Sequence, residues 1–165
     1  MDTNPYVLDA NVFIEAAQRY YAFDIAPPFW ASLIHHAKSG QIVSIDWVKK
    51  ELEKGKDELA DWAQNEFSNA FKSTDDEEVT RAFSDVMSWV YNHGQYTDYA
   101  KSDFAKGGDG WLIAYVKAYG GIIVTHEVLA PNAKKKVPIP NVCRAFDINY
   151  IDTFTMLRAL GVRFV

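Results

Sequence analysis

The 165-residue chain has one cysteine, Cys143, so it closes no internal disulfide and holds no cysteine-rich zinc module. It also lacks the His-x-Glu-x-x-His pattern of a zinc site. No stretch approaches the roughly 18–20 apolar residues of a membrane span. The opening Met1-Asp2-Thr3-Asn4-Pro5 lacks the basic-then-apolar order of a secretory leader, so a cytoplasmic protein is expected. There is no excess of basic charge: 17 Lys and Arg stand against 22 Asp and Glu, a net of −5. That argues against a protein held on nucleic acid by overall basicity and leaves room for a local basic patch. Repeats, linkers and low-complexity tracts are absent as well.

With 48% hydrophobic and 24% charged residues, the chain reads as globular, and its length suits one domain spanning residues 1–165. Charge is unevenly spread. Residues 51–85 carry 11 acidic and 4 basic side chains, whereas residues 86–165 carry 6 acidic and 9 basic ones. A polyanion would meet the C-terminal half while the middle faces solvent or a basic partner.

Tyr6–Leu8 has the length and composition of a buried parallel strand. A helix follows through Tyr20 with Asn11 as its N-cap, and another runs from Phe29 to Lys38. Ile42–Ile45 is a strand, and Asp46 caps a helix through Glu53. Amphipathic helices are expected at 57–71 and 76–92, then an irregular region from His93 to Gly108. Asp109 opens an apolar helix that Gly120-Gly121 ends, and Ile122–Thr125 is a β-branched strand. Pro131–Pro140 reads as a loop with an edge strand at Val137–Ile139. Helices at Val142–Phe146 and Thr153–Leu160, the latter capped by Asp152, and a closing strand at Val162–Phe164 complete the pattern. Alternating short strands and helices predict an α/β sandwich around a mostly parallel sheet, whose ligands sit beyond the C-terminal strand ends.

Carboxylates gather at those ends. Asp9 closes the first strand, Glu51 lies on the helix after the second, Asp109 starts the helix before the Ile122–Thr125 strand, and Glu127 follows that strand. If they converge, their mutual repulsion calls for a cation, and carboxylates with water are the ligands of Mg²⁺ or Mn²⁺. Such a metal activates water for attack on a phosphodiester. Each acid also has an ordinary role open to it as a helix cap or turn residue. Asn11 and Thr125 are candidates to support the site. Lys134, Lys135 and Lys136 are placed to hold backbone phosphates, and Tyr96 and Tyr99 to stack on bases. The histidines and Cys143 offer no pairing that suggests nucleophilic or acid–base work.

Four segments in order resemble the PIN-domain family of metal-dependent ribonucleases, which includes toxins of toxin–antitoxin pairs. They are Tyr6-Val7-Leu8-Asp9-Ala10-Asn11-Val12-Phe13-Ile14, Val48-Lys49-Lys50-Glu51-Leu52, Gly108-Asp109-Gly110-Trp111-Leu112-Ile113-Ala114 and Val124-Thr125-His126-Glu127. The fourth acid is Glu127 where the family more often has aspartate, and residues 55–104 are longer and more helical than in the smallest toxins. With Lys136–Cys143 they look like a longer bacterial and archaeal PIN-like subgroup. The resemblance implies a three-layer α/β/α fold, Mg²⁺ or Mn²⁺ held by Asp9, Glu51, Asp109 and Glu127, RNA as substrate, and often a homodimer. It also implies a small antitoxin partner that closes the acidic site with an arginine. Two other functions stay open on the same fold: a DNA-directed nuclease or other metal-dependent phosphoesterase, and a non-catalytic protein that binds RNA or a protein partner. A phosphatase using a covalent aspartate would want a second aspartate where Asn11 stands.

Overall fold

Short apolar runs form the centre of the molecule in the computed structural model, which describes residues 4–164. Strand β1 is Tyr6–Leu8, β2 Ile42–Ile45, β3 Phe71–Lys72, β4 Ile122–Val124 and β5 Tyr150–Ile151. All pair in parallel, in the order β3-β2-β1-β4-β5. Val7, Leu8, Ile42, Ile45, Ile123 and Val124 are fully buried, as parallel strands covered on both faces require. The covering helices are α1 (Ala10–Glu15, continued by a π turn at Ala16–Tyr20), α2 (Pro27–Lys38), α3 (Asp46–Glu53), α4 (Glu58–Asn65), α5 (Glu77–Asn92), α6 (Asp98–Lys106), α7 (Asp109–Tyr119), α8 (Ile139–Ala145) and α9 (Thr153–Ala159). The result is the expected three-layer α/β/α sandwich.

Local chemistry departs from the expected elements in four places. The helix expected at 57–71 stops at Asn65, because Phe67 turns inward to stack on Trp62 (4.8 Å between ring centroids) and meet Phe13 edge-on. The chain then runs straight enough at Phe71–Lys72 to pair with β2. The supposedly irregular region contains α6, whose cap is the Thr97 side chain accepting from Ala100 N at 3.1 Å. No strand forms at Val137–Ile139: Pro138 has no N–H to give a ladder, and Ile139 N instead donates to Glu127 Oε1. That loop is tied down by side chains. Gln95 Nε2 donates to Pro131 O and Ala133 O, and buried Asn141 pairs with Ala130 through both its N–H and its carbonyl. Nor is Val162–Phe164 a strand. Gly161, at φ +72°, closes α9 and sends Val162 N back to Leu157 O, so Tyr150–Ile151 takes the place beside β4.

Candidate functional site

The sheet grows outward from β1 to β2 and β3, then resumes on the other side with β4 and β5. The reversal lies between β1 and β4, and a crevice opens there beyond the strand ends. Leu8 pairs with Val124, so Asp9 and Thr125 leave the sheet side by side. Asp9 is the N-cap of α1. Its Oδ1 accepts from Ala10 N at 2.8 Å, and its Oδ2 accepts from Thr125 Oγ1 at 2.9 Å. The same hydroxyl accepts from Asn11 Nδ2 at 3.3 Å and from Glu127 N at 3.1 Å, which uses its one donor and both lone pairs. Asn11 is not the cap expected of it. It sits in the first turn of α1, and its Oδ1 accepts from His126 N at 3.2 Å, lacing the two strand ends together. His126 itself turns aside, its Nε2 on Thr153 Oγ1.

Asp109 arrives from the other direction, at the start of α7 between two glycines. A Cβ at Gly108 would lie 3.0 Å from Trp47 Cβ, and one at Gly110 would lie 3.0 Å from the Phe83 ring and 3.1 Å from the Phe104 ring. Without a Cβ at either position, this helix start presses against α3, α5 and α6 and brings Asp109 to the crevice. Burial, with the nearby charges of Asp9 and Glu127, pushes the Asp109 carboxyl up to about 8. Burial likewise lifts Asp9 to about 7, against the pull of the Thr125 and Ala10 hydrogen bonds and with added repulsion from Glu127 and Glu51.

Asp9, Glu51 and Asp109 line one cleft of about 360 Å³, as expected of them. Glu51 is exposed on its wall. Glu127 is placed differently: its Oε1 accepts from Ile139 N at 3.0 Å and its Oε2 pairs with Lys136 Nζ at 3.4 Å, so both oxygens are engaged in tying the following loop. Of the three expected lysines, Lys136 borders the cleft, whereas Lys134 and Lys135 lie exposed outside its lining. Tyr96 is buried at 4% exposure and accepts from Asn141 Nδ2, so it has no free face for a base; Tyr99 is 76% exposed but stands off the cleft. The pattern-based reading missed Trp47, Lys50, Lys54 and Lys106, all of which border the cleft. The signal was present along α3 and its C-cap, where Trp47, Lys50, Glu51 and Lys54 recur at helical spacing on one side.

Among the described residues, no three His, Cys, Asp or Glu side chains assemble as a metal-binding group. The donor set nevertheless suits a hydrated dication. Mg²⁺ keeps several waters and takes one or two carboxylates, and Asp9 and Asp109 are two acids whose ionisation awaits a countercharge. Among curated proteins and among solved structures, nothing matches the chain. A family model described as a domain of unknown function, DUF4411, matches residues 6–164, and the chain belongs to that family.

Proposed function

We propose that the protein is a PIN-like, Mg²⁺- or Mn²⁺-dependent endoribonuclease. The observation that carries this reading is the meeting of Asp9 and Asp109, both with raised carboxyls, at the switch point of a parallel sheet in a cleft edged by lysines. Asp9 and Asp109 would hold the metal, with Glu51 on the wall of the same cleft. A bound Mg²⁺ or Mn²⁺ lowers the pKa of water and offsets charge on the leaving oxygen. Thr125, fixed by Asn11, orients Asp9 with one oxygen turned to the hydroxyl. Lys50, Lys54, Lys106 and Lys136 hold the phosphates of the strand. An antitoxin partner, on the same reading, would close the cleft with an arginine, the countercharge these acids call for. A second reading, a non-catalytic RNA-binding protein, is favoured by the engagement of both Glu127 oxygens with the following loop.

The test incubates purified protein with single-stranded RNA, structured RNA and DNA in Mn²⁺, Mg²⁺ or EDTA, and then analyses product ends. Metal-dependent products with 5′-phosphate and 3′-hydroxyl ends, lost in Asp9→Ala and Asp109→Ala, support the nuclease. Cleavage of DNA alone would transfer the reading to a DNA-directed enzyme. Products with 2′,3′-cyclic phosphate, formed equally well in EDTA, would sink it.

A further inference from the structure

Trp47 lines the cleft, and its ring is braced by a second indole. Its ring lies 6.1 Å from that of Trp111 at an angle of 11°, and Trp111 in turn stacks on Phe83 at 3.8 Å and 6°. The close approach of Gly108 to its Cβ fixes the base of the side chain. Lys50 Nζ sits 5.6 Å over the Trp47 ring. Lys50 is exposed and three residues further along the same helix, so another flat group can lift it from the ring without disturbing the core. Lys54 and Lys106 continue the cationic edge. Among the described residues, Lys50, Lys54 and Lys106 make no salt bridge, although the chain has five more acidic than basic side chains. Unneutralised cations beside an aromatic face are the two components of single-strand recognition: a stacking platform and an electrostatic track for phosphates. A duplex presents only its phosphates, because its bases are already stacked on each other. At about 360 Å³ the cleft lies at the small end of ligand-sized sites, room for one nucleotide rather than a helix.

We infer that the cleft is a subsite for one unpaired nucleotide of a single-stranded RNA, its base stacked on Trp47 in place of the Lys50 ammonium and its flanking phosphates on Lys50, Lys54 and Lys106. The inference rests on the nuclease reading for the identity and strandedness of the polymer and extends it by naming Trp47 as the base platform and Lys50, Lys54 and Lys106 as the groups that hold the flanking phosphates. Specificity comes from cost: a paired base must first leave its stack, and an unpaired one need not.

The test measures binding by the full chain, in EDTA to prevent cleavage, of a short labelled single-stranded RNA, the same sequence as a blunt duplex, the DNA equivalent, and AMP as competitor. Single-stranded RNA should bind at least about tenfold more tightly than duplex. Trp47→Leu, which keeps apolar bulk without a π face, should remove most of that preference, and Trp47→Phe should restore much of it. Thermal melting of each variant identifies any that fails to fold, and the comparison rests on the Phe and Leu pair, which both keep apolar bulk at the site. Lys54→Ala and Lys106→Ala should each flatten the salt dependence of binding. Equal binding of single strand and duplex, or a Trp47→Leu variant that binds as the parent does, overturns the inference. AMP competing as well as the oligomer overturns the polymer claim in favour of a mononucleotide site. Cleavage assays run in parallel separate the two ideas. Trp47-dependent binding without metal-dependent cleavage would sink the nuclease and leave the subsite, whereas cleavage indifferent to Trp47 and to strandedness would do the reverse.

Discussion

Asp9 and Asp109 differ in what an asparagine would do in their place. Asp9 Oδ2 accepts from a Thr125 hydroxyl whose lone pairs are already taken by Asn11 and Glu127. An amide N–H₂ there would face an oxygen with nothing left to accept it, so Asp9→Asn loses a hydrogen bond as well as a charge. Asp109 is held by no hydrogen bond that lowers its pKa, and burial with the Asp9 charge dominates. Both carboxyls have folded-state values above the usual 3.8, so the folded chain binds more protons than the unfolded chain between about pH 4 and 8. Stability is therefore fullest below that window and falls as pH rises through it. Metal-free protein should melt lower at pH 8.5 than at pH 5.5. Asp109→Asn should flatten that dependence and stabilise the chain at pH 8.5 by on the order of 1–2 kcal/mol, the value of about one pK unit. Thermal melts in EDTA at the two pH values decide it, and a parent that becomes more stable toward pH 8.5 would contradict the burial of these acids.

The elements around the site depend on small residues and caps. Gly110 lets α7 lie against Phe83 of α5 and Phe104 of α6, and a methyl group there meets both rings at once. Gly110→Ala should cost about 1–3 kcal/mol, as overpacking does, although alanine is the better helix former. Because α7 carries Asp109, the same change should weaken Mn²⁺ binding. Urea unfolding and calorimetric titration check the two effects, and a stabilised variant with unchanged metal binding would show that α7 has room to shift. At this scale the pattern of apolar residues foretold β1, β2, β4, α5, α7 and α9 well, since the strands are short apolar runs and the helices carry their own periodicity, with caps at Asp76 and Asp152. It failed at α6, where the Thr97 cap was overlooked, and at β3, where a two-residue strand exists only because β2 offers it a partner.

For the molecule as a whole, folding brings like charges together before any cation is present, and a ligand that offsets them must stabilise the fold by mass action. Millimolar Mn²⁺ should raise the melting temperature by several degrees at pH 8 and less at pH 5.5, where protons compete for the same oxygens. Differential scanning fluorimetry checks this, and no shift at either pH would remove the metal from the proposed function. Across the described residues, no helix is long and apolar enough to cross a membrane. The sequence by itself determined the α/β layering and the candidate acids at strand ends, because strand burial, helix periodicity and caps are written in residues a few positions apart. Tertiary structure decided the rest. It set Asp9 beside Thr125 through the β1–β4 pairing and committed both oxygens of Glu127, expected among the site acids, to the loop that follows it. It also buried Tyr96 and opened a cleft to Trp47. Those outcomes depend on which elements become neighbours, across more than a hundred residues for Asp9 and Thr125 and on the path of one loop for Glu127 and Ile139. No local pattern encodes that.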